Sequence, residues 1–527
     1  MEYGEYIFGK DPTILTILTK YKVFNVFVSI SQYFYCMCTK LCGKILKRKG
    51  EVNMENKSIW ENYSAKQLKE LEKLNQEYRE FLDNGKTERE CIDTIVNTIE
   101  AQGYQELDTL IKAGKTLKKG DKVYSVWMNK SIAMFQIGSK PLTEGLNILG
   151  AHIDSPRLDV KQNPLYEDSG FAYLDTHYYG GVKKYQWVTI PLAIHGVIVK
   201  KDGTTVEINI GENEDDPVFF VSDLLIHLAG DQLEKKAAKV IEGEALDLIV
   251  GNKPLVIDKK NKKDEEDDEE KAKEGVKAGV LDILKNTYGV EEEDFISAEL
   301  EIVPAGKARE AGFDRSMILA YGQDDRVCAF TSMKAMLDVK STERTSCCIL
   351  VDKEEIGSVG ATGMQSRFFE NAVAELMNLC GDYSELNLRR CLAHSCMLSS
   401  DVSAGYDPSY ASSFEKKNAS YLGHGMVFNK FTGSRGKSGS NDANAEYIAH
   451  LRQVLDEKKI SYQTAELGKV DVGGGGTIAY ILALYGMNVI DSGVAVLNMH
   501  APWEATNKAD VYEAYRGYMA FVEGAAM

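Results

Sequence analysis

The sequence predicts an α/β fold, a mixed and mostly parallel sheet covered by helices, interrupted by an inserted β-rich domain. Two patterns carry this. From about residue 305, short apolar runs alternate with helical ones: MILAYG then SMKAMLDV, SCCILVD then FENAVAELMNLC, CLAHSCMLSS then NAEYIAHLRQVLDEK, VIDSGVAVLNMH then VYEAYRGYMAFVEGA. Such alternation suits strands buried on both faces beneath helices. Between residues 161 and 304 the texture differs, with hairpin-like alternation of apolar and polar residues.

Residues 1–53 contain an uncharged stretch of 17 residues, Val23 to Thr39, followed by Lys40, Lys44, Lys47, Arg48 and Lys49. A membrane anchor with a cytoplasmic basic flank is one reading. The stretch is short for a bilayer and holds Asn25, Ser29, Ser31 and Gln32. An extension outside the fold is the preferred expectation, with a conventional amphipathic start at Met54 and no membrane partner. Ser64 to Leu82 has apolar residues at helical spacing behind a capping Ser, and Glu88 to Ala101 reads as a second helix. Lys122 to Met128, Ser131 to Ile137 and Leu146 to His152 read as strands. In the insert, TIPLAIHGVIVK and TTVEINIG flank a Lys201-Asp202-Gly203 turn, and residues 222–240 look helical. The stretch 258–274 is almost purely charged and reads as a solvated loop. The expected domains are therefore 54–160 together with 305–527, and the insert 161–304.

Composition narrows the partners. The 527 residues carry 62 Lys+Arg against 79 Asp+Glu, a net charge of −17, of which the run DEEDDEE at 264–270 contributes −7. Nucleic acid, which needs a clustered positive field, is excluded as a main partner. The ten Cys, at 36, 38, 42, 91, 328, 347, 348, 380, 391 and 396, form no paired knuckles, and Cys347-Cys348 lie inside an apolar run. That usage belongs to a reducing, cytoplasmic setting and offers no thiolate zinc motif.

The chemistry stands at the carboxyl ends of the apolar runs. LNILGA leads into His152 and Asp154, SCCILV into Asp352, Glu354 and Glu355, CMLSS into Asp401, and GVAVLNM into His500. Asp324-Asp325 follows MILAYGQ. Ligands of open α/β sheets bind outside the carboxyl ends of strands. Two His and several carboxylates converging there compose a nitrogen–oxygen metal site. Singly, a His more often belongs to the surface or a satisfied core, and a strand-end Asp is commonly a turn former or helix cap; the case rests on the set. Position alone supports a metal-dependent or acid–base hydrolase.

The motifs GAHIDSPRLDVK, GQDDRVCAF, VDKEEIGSVGATG, SSDVSAGYDP and NMHAPWEATNK, in this order, resemble the aspartyl aminopeptidase and aminopeptidase I family of di-zinc exopeptidases. The resemblance runs from about Met54 to the C-terminus. It implies a peptide substrate with a free N-terminus and two zinc ions per subunit, with cobalt or manganese as substitutes. His152, Asp324, Glu355, Asp401 and His500 are the implied ligands, Asp324 bridging both metals. Asp154 would orient His152, and Glu354 would be the general base that activates water. The peptide bond after Asp324 is implied to be cis. His227, in LLIHLAG, would reach from a neighbouring subunit and stabilise the oxyanion, making the insert a dimerisation domain within a dodecamer. A helix-face His without a catalytic role is the alternative. DVGGGGTIA resembles a segment near the substrate, and Lys430 or Arg435 could meet a substrate carboxylate or simply belong to a solvated loop. Two rival functions are an acyl-amino deacylase on a related di-zinc domain, which needs no free α-amine, and a non-catalytic assembly protein with structural metals.

Overall fold

A computed structural model describes residues 58–255 and 274–524. The extension 1–53, with its uncharged stretch, and all of the charged stretch 258–274 except Glu274 lie outside the described residues. Three sheets organise the rest. The largest has nine strands, and its centre is four parallel neighbours: Ser346–Val351, Asn147–His152, Cys396–Ser400 and Asn488–Gly493. Antiparallel strands Lys122–Trp127 and Ser131–Gln136 extend one side, and Met426–Asn429 pairs antiparallel on the other.

The continuous apolar character of the central strands follows from burial on both faces. Side chains alternate between two cores. Leu149 and Ala151 join one, with Cys348 and Leu350, beneath the helices Ala65–Asn84, Glu88–Glu100, Gln323–Asp338 and Lys508–Gly524. Ile148, Cys347, Ile349 and Val351 join the other, beneath Phe368–Leu379 and Glu385–Ala393. The adjacent thiols Cys347 and Cys348 thus pack on opposite faces as small apolar groups. The two N-terminal helices start where their caps stand, with capping boxes of Ser64 with Gln67 and Thr87 with Glu90.

A six-stranded antiparallel sheet is built wholly from residues 157–304 and has its own core around the buried Trp187. The expected hairpin is there, Leu192–Val199 with Thr205–Ile210. Two long strands of this sheet, Arg157–Asp168 and Phe171–Tyr179, escape the sequence pattern. A register shift between Val160 and Leu165, next to Pro164, interrupts the alternation that would betray them. The helical expectation for 222–240 is corrected: only Ile226–Leu228, Gly230–Leu233 and Ala237–Val240 are helical turns. Leu224, Leu225, Ile226, Leu228 and Leu233 are all exposed, so no core among the described residues supports a longer helix.

The third sheet orders Arg309–Ala311, Met317–Ala320, Glu504–Asn507, Ala495–Leu497 and Ser403–Ala404. It splits the run VIDSGVAVLNMH, whose first half is the central strand Asn488–Gly493 and whose second half is Ala495–Leu497. CLAHSCMLSS divides likewise, its first residues closing helix Glu385–Ala393 before strand Cys396–Ser400 begins. Among the described residues no helix is long and apolar enough to cross a membrane.

Asp491 shows what the central sheet does to a carboxyl group. It is buried in strand Asn488–Gly493, where its Oδ1 accepts from the hydroxyls of Thr477 at 2.5 Å and Ser399 at 3.3 Å. Burial pushes it up to about 7 against those hydrogen bonds. The folded state therefore holds a proton that the unfolded chain releases near the ordinary carboxylate range, and stability falls as pH rises between the two values. Asp491→Asn should remove that slope. Urea midpoints of variant and wild type should diverge in the variant's favour from about pH 4 to about pH 7, then run level.

Candidate active site

Three loops leaving the parallel strands and two elements of the small sheet meet above the central sheet. Strand Asn147–His152 delivers His152 and Asp154, strand Ser346–Val351 delivers Glu354 and Glu355, and strand Cys396–Ser400 delivers Asp401. Asp324 opens helix Gln323–Asp338 after strand Met317–Ala320, and the Asp324–Asp325 peptide bond is cis. His500 is not at the end of a central strand, as the sequence pattern suggests. It sits in the turn between Ala495–Leu497 and Glu504–Asn507 of the small sheet.

The five proposed ligands fall into two donor groups that share one residue. His152, Asp324 and Asp401 place ligand atoms within 4.8 Å of one another, and so do Asp324, Glu355 and His500. His152 Nε2 lies 3.3 Å from Asp324 Oδ1, and His500 Nε2 lies 3.3 Å from Asp324 Oδ2. The two oxygens of Asp324 thus face different imidazoles. Glu354 Oε2 stands 3.9 Å from His152 Nε2, at the edge of the same cluster.

Two buried carboxylates hold this arrangement by gripping backbone. Asp154 has no exposed surface; its Oδ1 accepts the Glu354 N–H and its Oδ2 the Glu355 N–H, both at 3.1 Å. The same Oδ1 lies 3.2 Å from His152 Nδ1, which fixes that ring with Nε2 towards Asp324. Lys353, just before, is held at φ 67, a strain tolerated where the surroundings over-determine the loop. Glu504 does the matching task on the other side. Its Oε2 accepts the Asp324 N–H at 2.9 Å and its Oε1 the His500 N–H at 2.7 Å. The sequence reading missed Glu504. Its only signal is an acid flanked by apolar residues four places after His500.

Like charge dominates the electrostatics. Burial, with Asp324 beside it, pushes the Glu355 carboxyl well up, and burial with Asp325 and Asp324 does the same to Asp401. Burial pushes Glu354 up to about 7, with His152 opposing and Asp154 and Asp324 adding to it. Burial also opposes the charge of Asp324, but His152 and His500 outweigh it and hold the group low. His500 is raised to about 10 against burial, by Asp324 and Glu355. Glu355 Oε1 is buried without a hydrogen-bond partner. Stacked carboxylates, an orphaned oxygen and imidazole nitrogens aimed at a shared Asp fit divalent cations, which would relieve the repulsion and fill that acceptor.

His227 lies apart from this cluster. It sits in the exposed turn Ile226–Leu228, and neither donor group includes it. Lys430 is paired with Asp442, as is Lys437.

The chain matches the family described as aminopeptidase I zinc metalloprotease (M18) over residues 81–522. It is 61% identical over 468 residues to the "Probable M18 family aminopeptidase 1" of Clostridium acetobutylicum, covering 89% of this chain and 98% of that one. The solved structure of aminopeptidase I from Clostridium acetobutylicum superposes with a TM-score of 0.82 at 57% identity, over 90% of this chain and all of that one. The S. cerevisiae mApe1 dodecamer shares the fold at 20% identity and a TM-score of 0.66, over 85% and 95% of the two chains. This chain belongs to the aminopeptidase I zinc metalloprotease family, M18, and is a zinc aminopeptidase.

Proposed function

We propose that the chain removes N-terminal residues from peptides at a two-zinc site held by His152, Asp324, Glu355, Asp401 and His500. The observation that carries this is Asp324, whose two carboxylate oxygens each face a different imidazole at 3.3 Å. Bound there, zinc supplies Lewis acidity that polarises the scissile carbonyl and acidifies water; cobalt or manganese suit the same donors. Glu354 takes the proton from the attacking water and passes it to the leaving amine. Asp154 keeps Glu354 and His152 in register. The surrounding acidic groups hold the substrate's free α-amine, which confines cleavage to chain ends.

The same reading assigns the domains. Residues 54–160 with 305–527 form the catalytic domain, and 161–304 form the inserted dimerisation domain, whose sheet in fact begins earlier, at Arg157. Leu224, Leu225, Ile226 and Leu228 expose an apolar strip that a second copy would cover. His227 of the partner subunit would then stabilise the oxyanion, and dimers would assemble into a dodecamer as in the yeast relative. The cytoplasm suits seven free cysteines among the described residues, six of them buried.

Glu354→Gln should bind two zinc ions per chain by elemental analysis yet lose about 10²–10⁴-fold in kcat. Retained activity in that variant would sink the mechanism. An N-acetylated peptide should resist the wild-type enzyme; its cleavage would favour a deacylase. Leu228→Glu should shift the protein to smaller species in light scattering. It should also cost activity on the order of 10²–10³-fold, as should His227→Ala, the latter without changing assembly.

A further inference from the structure

The insert does more than present a surface to a second copy. Three consecutive residues at the end of strand Phe171–Tyr179 reach the site in their own chain. The Tyr179 hydroxyl donates to Asp154 Oδ2 at 2.8 Å. Gly180, at φ +73, lies so close to Glu355 that an added Cβ would stand 3.3 Å from the Glu355 Cβ. The Gly181 carbonyl lies 3.1 Å from His500 Nδ1, and a Cβ on Gly181 would stand 3.2 Å from that nitrogen.

A carbonyl oxygen only accepts, so His500 Nδ1 carries a proton and donates it to Gly181, which leaves Nε2, turned towards Asp324 and Glu355, as the ring atom available to a metal. Asp154 Oδ2 is shared between the Tyr179 hydroxyl and the Glu355 N–H, so removing the phenol frees one constraint on the carboxylate that fixes His152, Glu354 and Glu355. Tyr179 is itself held. The Arg157 guanidinium lies 4.0 Å from its ring centroid and forms buried ion pairs with Glu88 at 2.6 Å and Glu301 at 3.2 Å.

We propose that Tyr179 and Gly181 are positioning residues through which the insert sets the geometry of the metal site within one chain. Tyr179 acts through Asp154 on His152 and the Glu354–Glu355 backbone. Gly181 acts through its carbonyl on the His500 ring. This rests on the two-metal reading above and adds to it the residues that aim the ligands.

The test uses full-length enzyme and zinc titrated against a chromophoric chelator. Tyr179→Phe keeps the ring under Arg157 and removes only the hydroxyl. It should weaken zinc binding about 10-fold, lower kcat to a similar degree and leave KM unchanged. Gly181→Ala should weaken one of the two zinc equivalents selectively, because only His500 is displaced. Tyr166→Phe is the control: it removes a phenol–carboxylate hydrogen bond, to Asp247, in the same sheet, and should titrate as wild type. A Tyr179→Phe protein with unaltered zinc affinity and kcat overturns the Tyr179 role, and a lowered melting temperature as its sole effect does so equally. Two unaltered equivalents in Gly181→Ala overturn the Gly181 role. If wild-type protein binds two zinc ions but cleaves no free-amine peptide, the functional reading fails, while the zinc titrations still decide the positioning roles.

Discussion

Packing many acids into one crevice is the constraint on which the rest of this structure depends. Asp154, Asp324, Glu355, Asp401, Glu354 and Glu504 converge within a few side chains, with two imidazoles between them. Left to themselves, such groups repel, and burial removes the water that would screen them. The chain answers in two ways. Some carboxylates face His152 and His500, where divalent cations fit. The others are satisfied by backbone N–H groups.

That second answer shapes the architecture. Asp154 and Glu504 are placed as counterparts, each gripping two backbone N–H groups of residues in the donor cluster. Each carboxylate thereby lies at the junction of separate elements. Asp154 ties the strand Asn147–His152 to the loop after Ser346–Val351. Glu504 ties the small sheet's Asp324 corner to its His500 turn. Ser155 completes the hold by donating its hydroxyl to the Asp324 carbonyl at 2.7 Å. Positive φ at Lys353 and His500, at 67° and 65°, shows that the backbone bends to serve this geometry.

The insert is bound to the rest by buried charge rather than by apolar packing alone. Arg157 joins Glu88 of one helix to Glu301 of the insert sheet. Burial opposes its charge, yet Glu301 and Glu88 outweigh that and keep the guanidinium protonated. His195 stands between Glu90 at 2.7 Å and Glu212 at 3.2 Å, while Lys86 donates to the Pro304 and Gly306 carbonyls at 2.8 Å. Ionic and directional contacts of this kind specify orientation, which a site aimed by Tyr179 and Gly181 requires. The exposed apolar turn at 224–228 faces the opposite demand, since none of the described residues covers it.

Much was legible before any coordinates. Strands buried on both faces announce themselves as apolar runs, so the parallel centre and the residues at its carboxyl ends could be read directly. The helices Ala65–Asn84 and Glu88–Glu100 declare their starts through capping residues. Ordered motifs pointed to His152, Asp154, Asp324, Glu354, Glu355, Asp401 and His500 as one group, and the fold places all seven together. What the sequence hid depended on contacts between distant segments. A register shift beside Pro164 concealed two strands of the insert, and a change of sheet within VIDSGVAVLNMH concealed where His500 stands. Glu504 and Tyr179 carry no local pattern, because a buried hydrogen bond to a residue far along the chain leaves no periodicity behind. Local chemistry and the ordered motifs marked out the candidate residues; only tertiary structure decided which others hold them still, since that role depends on three-dimensional proximity.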